Sequence, residues 1–447
     1  MERKKSFAWT VCRLAVPVAL QSMLQSSFSI VDQIMIGQLG SVSVAGVGLA
    51  GKFSSTFSVL ASAIGAIAGI MISQYLGQKN KQEVRRSFSL NLLIVIAIAT
   101  VFTFLCLAFP QQIMGLYTQD HETIQAAASY LTIIAGTFLP IAGATLLSTL
   151  FRCMEKASLP LYASILAAVL NTGLNYVLIF GKLTFPAMGA EGAAIATLVS
   201  QIANFLIMLL LFVKYRDILA VDRKAGAGIP KFNWHQYAAM LLPMLVCEFM
   251  WSLGENVYAG IYGHLGTESC AAMTLINPVQ GIMIGALCGL SQAAGVIVGK
   301  RLGTGEYEEA YSASKKLLLY GIFGSLFLSG IILLTRPYYV EIYQVEASVK
   351  MLAKQIMTAY AIVAPFKVLN MILGGGIIRS GGKTKYVMVI DLVGTWIFGV
   401  PLGLIAAFGF HLGIPYVYFI LSLEECIRFG ISLIVFRRKQ WMQILKS

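Results

Sequence analysis

Twelve runs of mostly apolar residues, each 20 or more long, dominate this chain and leave few folds open to it. A helix needs about 20 such residues to cross the hydrocarbon of a bilayer. Inside that hydrocarbon every backbone N–H and C=O must be satisfied within the span, which a helix does by itself. The runs fall at roughly 12–37, 45–76, 88–109, 123–150, 158–180, 189–213, 237–263, 270–299, 315–335, 351–378, 386–409 and 413–436. They predict an all-α integral membrane protein. Composition agrees: 57% of the 447 residues are hydrophobic and 12% are charged, against about 25% charged in a soluble domain.

The charges are unevenly placed. Of 33 Lys and Arg, 26 fall before the first run or at its start, in alternate loops or at the run ends beside them, in the stretch 214–236 or after the last run. Four (Lys182, Arg336, Lys350, Lys354) fall on the opposite side or at the run end beside it, and Lys52, Lys367 and Arg428 fall deeper inside runs. Basic residues collect in cytoplasmic loops. The pattern predicts a multi-pass protein of the bacterial or archaeal inner (plasma) membrane with both termini cytoplasmic. It also accounts for most of the +13 net charge without a nucleic-acid partner. The basic opening MERKKSFAW lacks a small-residue cleavage site, so the first run reads as a span rather than a signal peptide. Seven cysteines, with no C-x-x-C pair, read as small buried residues rather than a disulfide framework or a metal site.

The chain also repeats itself. Shifting it by 226 residues aligns 14–90 with 240–316 without a gap and with 14 identities, among them Pro17 with Pro243, Gly37 with Gly263, Gly69 with Gly295 and Gly77 with Gly303. Later, Pro140 meets Pro365, Arg152 meets Arg379 and Lys156 meets Lys383 at offsets of 225 to 227. The expected organisation is a six-helix half over 1–213, a cytoplasmic linker over 214–236 and a second six-helix half over 237–447. Six is even, so both halves enter the membrane from the same side. Parallel repeats of this kind belong to transporters that alternate access to a site near the bilayer midplane. Prolines within or near spans, Pro17 first among them, are candidate hinges or static kinks.

Polar groups inside spans are costly and point to function. The first half has one deep carboxylate, Asp32. Gln21, Gln25, Phe28, Ser29, Asp32 and Met35 recur at spacings of three and four and share a helix face. That stripe is too hydrophilic for lipid and must face other helices or a water-filled cavity. A carboxylate held away from water can take up a proton or a small cation and so couple ion movement to substrate movement. Asn171 with Asn175, and Thr197 with Gln201, could complete an oxygen-rich site around Asp32; by spacing alone they serve equally well as interhelical hydrogen bonds. The second half carries Glu248, Glu255, Lys367, Asp391, Glu424, Glu425 and Arg428 in its spans, some of them necessarily paired or neutral. GGKT at 381–384 lacks the first glycine of a P-loop, no H-E-x-x-H occurs, and no nucleophile–base set is visible. These absences argue against ATP hydrolysis and against an enzyme.

Over its full length the chain resembles the MATE (multidrug and toxic compound extrusion) transporters. The resemblance rests on two six-helix halves, Pro17, V-D-x-x-M-x-G from Val31 to Gly37, Asn-x-x-x-Asn at Asn171 and Asn175, G-A-A-x-A-T from Gly192 to Thr197, and the repeated L-G loops. It implies V-shaped halves around a central cavity. It also implies a monomer among membrane lipids that exports small, drug-like, often cationic organic compounds in exchange for H+ or Na+, without a further cofactor. The family's first-half proton or cation site would fall on Asp32, Asn171, Asn175 and Thr197, with Gln25, Phe28, Ser29, Met35 and Gln201 lining the substrate cavity and Pro17 as hinge. Many members carry Asp where this chain has Asn175, which counts against a strong sodium site there. NorM-like members also use a span-10 Asp, which falls near Lys383, so with the second-half sodium site missing or relocated the balance is more DinF-like than NorM-like and favours H+. The second-half Glu of NorM-like members falls on Trp251, with Glu255 one turn away as a possible second ion site. The rival within the superfamily is a lipid or lipid-linked oligosaccharide flippase, which asks for several cations in its cavity.

Overall fold

The computed structural model describes residues 6–39, 41–183, 185–215, 234–343 and 345–445. Among them the chain is helical almost throughout and contains no strand. The first half comprises α1 (Phe7–Gly37), α2 (Ser41–Gly77), α3 (Lys81–Ala108), α4 (Pro110–Gly115), α5 (His121–Ile134), α6 (Phe138–Cys153), α7 (Ser158–Phe180) and α8 (Gly189–Lys214). The second comprises α9 (Trp234–His264), α10 (Thr267–Gly303), α11 (Tyr307–Glu341), α12 (Ala347–Asn370), α13 (Thr384–Leu392), α14 (Val400–Leu404), α15 (Ile414–Ser422) and α16 (Glu424–Arg437). The duplication shows in the lengths. α1 and α9 have 31 residues each, and α2 and α10 have 37 each.

Local chemistry sets the ends of these helices. Asn80 caps α3 by accepting the Glu83 N–H at 3.2 Å, and Asp120 caps α5 by accepting the Thr123 N–H at 3.1 Å. Such caps satisfy amides that the helix leaves open. α7 ends on Gly181 at φ +66°, a left-handed turn that glycine adopts without strain.

Among the described residues, eleven helical segments are long and apolar enough to cross a membrane. The fourth expected span is α5, a short 3-10 stretch Ala135–Thr137 and α6. The twelfth, expected over 413–436, is two helices, α15 and α16, abutting at Leu423. Three π-helical stretches, Met371–Ile378, Val393–Gly399 and Ile405–Gly409, interrupt the second half. A π turn adds a residue and opens the helix wall, and such turns gather at functional sites.

By packing, the chain falls into two units: Leu20–Ile72 with Lys79–Lys231, and Met1–Ala19 with Ser73–Gln78 and Phe232–Ser447. α1 and α2 each contribute to both. Pro17 lies inside α1, close to the point where that helix passes from one unit to the other. The expected linker 214–236 lies mostly outside the described residues. In the first unit Leu147, Phe151, Ala163 and Met208 form a buried cluster under Phe88 and Phe205. In the second, α10 lies so close to α1 that a β-carbon on Gly289 would fall 2.0 Å from the Ala15 carbonyl oxygen. Small residues permit such approach where lipid supplies no hydrophobic drive between helices.

Candidate functional site

In the first unit α1, α7 and α8 bring four polar side chains together. Asn175 Nδ2 donates to Asp32 Oδ1 at 2.6 Å. Asn171, one turn earlier on α7, stands beside both. In one orientation of its amide, Nδ2 faces Thr197 Oγ1 at 3.4 Å and Oδ1 accepts from Asn175 Nδ2 at 3.3 Å. Turned over, the nitrogen donates to both Asp32 oxygens at 3.1 Å, which matches donors to acceptors better. Thr197 spends its own proton on the Ala193 carbonyl at 3.0 Å. Asn171 and Asn175 are 8% and 1% exposed, and buried Tyr130 lies within electrostatic reach of Asp32.

Two features give this cluster chemical scope. Asp32 is half-buried and, among the described residues, meets neutral hydrogen-bonding groups, so amides rather than a paired cation solvate its charge there. In addition, Asn175 Oδ1 is a buried acceptor with no hydrogen-bond partner among the described residues. Buried polar atoms are nearly always paired, so this oxygen is a ready acceptor for a proton-bearing group or a small cation. Among the described residues no cluster of three or more His, Cys, Asp or Glu forms a metal site.

The remaining residues singled out from the sequence are less closely gathered. Gln21 donates to Ser164 Oγ at 2.8 Å on the same face of α1. Gln25 is exposed, and Phe28, Met35 and Gln201 are half-buried; none contributes a hydrogen bond to the Asp32 cluster among the described residues. The side chain of Ser29 lies outside the described residues.

The second unit holds a different kind of site. Glu255 is exposed on the rim of a cavity of about 300 Å3 that is also lined by Tyr258, Tyr262, Tyr418, Lys367 and Glu424. Tyr258 donates to Glu424 Oε2 at 2.5 Å. Arg428 reaches Asp391 Oδ1 at 2.6 Å, Glu425 Oε1 at 3.5 Å and Glu424 Oε1 at 3.9 Å. Asn370 donates to Glu425 Oε2 at 2.8 Å, and Cys247 Sγ donates to Asp391 Oδ2 at 2.8 Å. Arg379, whose position in the sequence reads as a cytoplasmic loop, instead pairs with Glu248 at 3.4 Å on a second cavity of about 290 Å3. The network fits because glycines stand opposite it. A β-carbon on Gly394 would fall 2.2 Å from Arg428 Cγ, and one on Gly399 would fall 2.1 Å from Glu424 Oε2. The spacing of Glu424 and Arg428 allows their pairing, but no sequence signal shows that Asp391, Asn370 and Tyr258 join them.

Comparisons with known proteins follow this architecture. The chain matches the MatE family over residues 17–177 and again over 243–405, stretches that begin at the aligned prolines Pro17 and Pro243. It is 25% identical over 417 residues to a probable multidrug resistance protein NorM of Agrobacterium fabrum, covering 90% of this chain and 87% of that one. It is 26% identical over 411 residues to the multidrug and toxin extrusion protein 1 of Pongo abelii, covering 90% of this chain and 69% of that one. A solved crystal structure of a MATE in complex with MaL6 superposes with a TM-score of 0.89 over 97% of this chain and 96% of that one, at 18% identity.

Proposed function

The chain belongs to the MatE family of membrane transporters, and from that premise we propose that it is a secondary active antiporter exporting bulky, often cationic organic compounds in exchange for protons through Asp32. The names of its relatives as multidrug proteins support the substrate class. The observation that carries the coupling role is a buried cluster in which one carboxylate is held by neutral amides, with one amide oxygen, Asn175 Oδ1, left unpartnered beside it.

That arrangement has two hydrogen-bonded states. Ionised, Asp32 accepts from Asn175 Nδ2. Protonated, it becomes a donor as well as an acceptor, and a turn of the Asn175 amide presents Oδ1 to the new O–H. Asn171 has the same two choices of orientation. Uptake of one proton therefore rearranges the contacts of α1 with α7 and, through Asn171, those of α7 with Thr197 on α8. α1 carries that change toward Pro17, where the missing backbone donor makes bending cheap. The transported compound enters from the basic, cytoplasmic face and leaves on the other. Proton entry from outside favours its release, and proton loss to the cytoplasm resets the carrier. With Asn at 175 the cluster has a single carboxylate, which favours H+ over Na+. The flippase alternative asks for several free cations in a cavity; Arg379 and Arg428 are both paired with carboxylates, and Lys367 lines both second-unit cavities beside Glu425.

The test is rhodamine 6G efflux from proteoliposomes under separately imposed pH and Na+ gradients. A pH gradient should drive export and a Na+ gradient alone should not. Asp32→Asn should export nothing beyond leak while melting like the parent protein. Unchanged, gradient-driven efflux by that variant would remove Asp32 from the mechanism.

A further inference from the structure

The end of α2 belongs to a different packing unit from the rest of that helix, and the segment that follows α16 helps to hold it there. Gln74 is fully buried, and both ends of its side chain amide are engaged. Nε2 donates to the Ser380 carbonyl at 2.6 Å and to the Gln443 carbonyl at 3.1 Å, and Oε1 accepts the Leu445 N–H at 2.8 Å. One turn on, Gln78 Nε2 donates to the Leu445 carbonyl at 3.1 Å. The segment is anchored by Trp441, which has no exposed surface, stacks on Phe436 and donates its indole N–H to the Phe436 carbonyl at 3.2 Å. It rests on the turn after the first π stretch, where a β-carbon on Gly381 would fall 1.7 Å from the Trp441 carbonyl oxygen.

A second contact of this helix end is backbone on backbone, beside the buried Ser73 hydroxyl, which packs against Gly299. A β-carbon on Gly77 would fall 2.0 Å from the Lys300 carbonyl oxygen, and one on Gly303 would fall 2.0 Å from the Gln74 carbonyl oxygen. Gly77 and Gly303 are repeat partners, so the two helices cross at equivalent points. A glycine crossing gives close approach without interlocked side chains. The four bonds from Gln74 and Gln78 run to carbonyls and an amide that water can satisfy once they part. When these two contacts open, water can therefore replace the bonds made by Gln74 and Gln78.

We propose that residues 438–445 are a latch on the cytoplasmic end of α2, and that it must release Gln74 and Gln78 in each transport cycle. This rests on the alternating-access reading above, in which the basic face opens to admit substrate. The test is a reducible link between Gln78→Cys and Leu445→Cys, made with a short bis-methanethiosulfonate in proteoliposomes, with the identically treated parent protein as reference. The reduced pair should export rhodamine 6G under a pH gradient. The linked pair should export at least tenfold more slowly, and reductant should restore the rate. Linked protein that exports at the reduced rate would overturn the latch alone, whereas reduced, folded protein that never exports would count against the transporter reading. A second measurement needs no link. Pulsed-EPR distances between labels at Lys79→Cys and Thr304→Cys, with exposed Cys12 replaced by Ser, should show at least twice the long-distance population when Gln74→Ala is added. An unchanged distribution in that variant would also overturn the latch.

Discussion

The two halves keep one contact and reverse its chemistry. In the first half Gln21 on α1 donates to Ser164 on α7 at 2.8 Å. In the second, Cys247 on α9 donates to Asp391 on α13, also at 2.8 Å. These residues are repeat partners at offsets of 226 and 227. The same backbone geometry thus carries a neutral pair in one half and a thiol on a carboxylate in the other. Likewise the partner of Asp32 is Tyr258, a hydroxyl, which donates to a carboxylate on the last helix of its own half. Duplication preserved where polar groups stand and redistributed which of them bear charge. The first half holds one carboxylate among amides. The second gathers Asp391, Glu424 and Glu425 around Arg428. A lone carboxylate among neutral donors can change its protonation without disturbing a partner charge. On the proposed reading, a carboxylate cluster locked on an arginine serves structure.

If that contrast is right, changes in the second half should act on folding and changes in the first on transport. The largest loss of stability is expected for Arg428→Gln. It leaves buried carboxylates without their cation, at a cost of about 3–5 kcal/mol, and should show as a collapse of the monodisperse peak in fluorescence-detected size exclusion. Gly394→Ala comes next. Its methyl group would fall 2.2 Å from Arg428 Cγ, and overpacking of this kind costs about 1–3 kcal/mol, readable as a lower melting temperature in detergent. The repeat partner of Gly394 is Ala167, already a buried methyl. The strain is therefore specific to the half through which the arginine passes.

Smaller effects should follow from breaking the shared contact itself. Gln21→Ala removes one hydrogen bond, a change of about 0.5–1.5 kcal/mol, and Cys247→Ala removes the bond to Asp391 together with a long one from Arg379 at 4.0 Å. Equal melting shifts would confirm that the contact does the same structural work in both halves. A much larger loss for Cys247→Ala would show that the thiol is part of the charged network. The smallest change in stability belongs to Asp32→Asn, because an amide of the same shape still accepts from Asn175. Its melting curve should overlay the parent curve while gradient-driven dye export falls to leak. A variant that melted early would place Asp32 with the structural charges and erase the contrast.

The helices were legible in the sequence because the bilayer imposes a length. A run of apolar residues long enough to cross has few other fates, and α2 and α10 end within a few residues of where hydropathy and the L-G turns place them. The face of α1 that carries Asp32 was legible too, since spacings of three and four define a stripe. That Asp32 meets Asn175, 143 residues away, was not a matter of spacing. The π stretches, the pairing of Arg379 with Glu248 and the docking of Trp441 left no periodic trace. Each depends on what packs opposite: a π turn persists where neighbours hold it open, and a loop-like arginine becomes a buried one when a carboxylate from another helix arrives.

The sequence by itself therefore determined that this is a duplicated, all-helical membrane protein, with its spans and its in-plane carboxylates in known places. Hydrophobicity, period and repeat offset are properties of residues taken in order along one chain. The tertiary structure alone decided which buried polar groups meet, and so that one half holds a carboxylate among amides while the other holds an ion network. Partnering of buried charges turns on distances of a few ångströms between segments more than a hundred residues apart, and packing, not order in the chain, sets those distances.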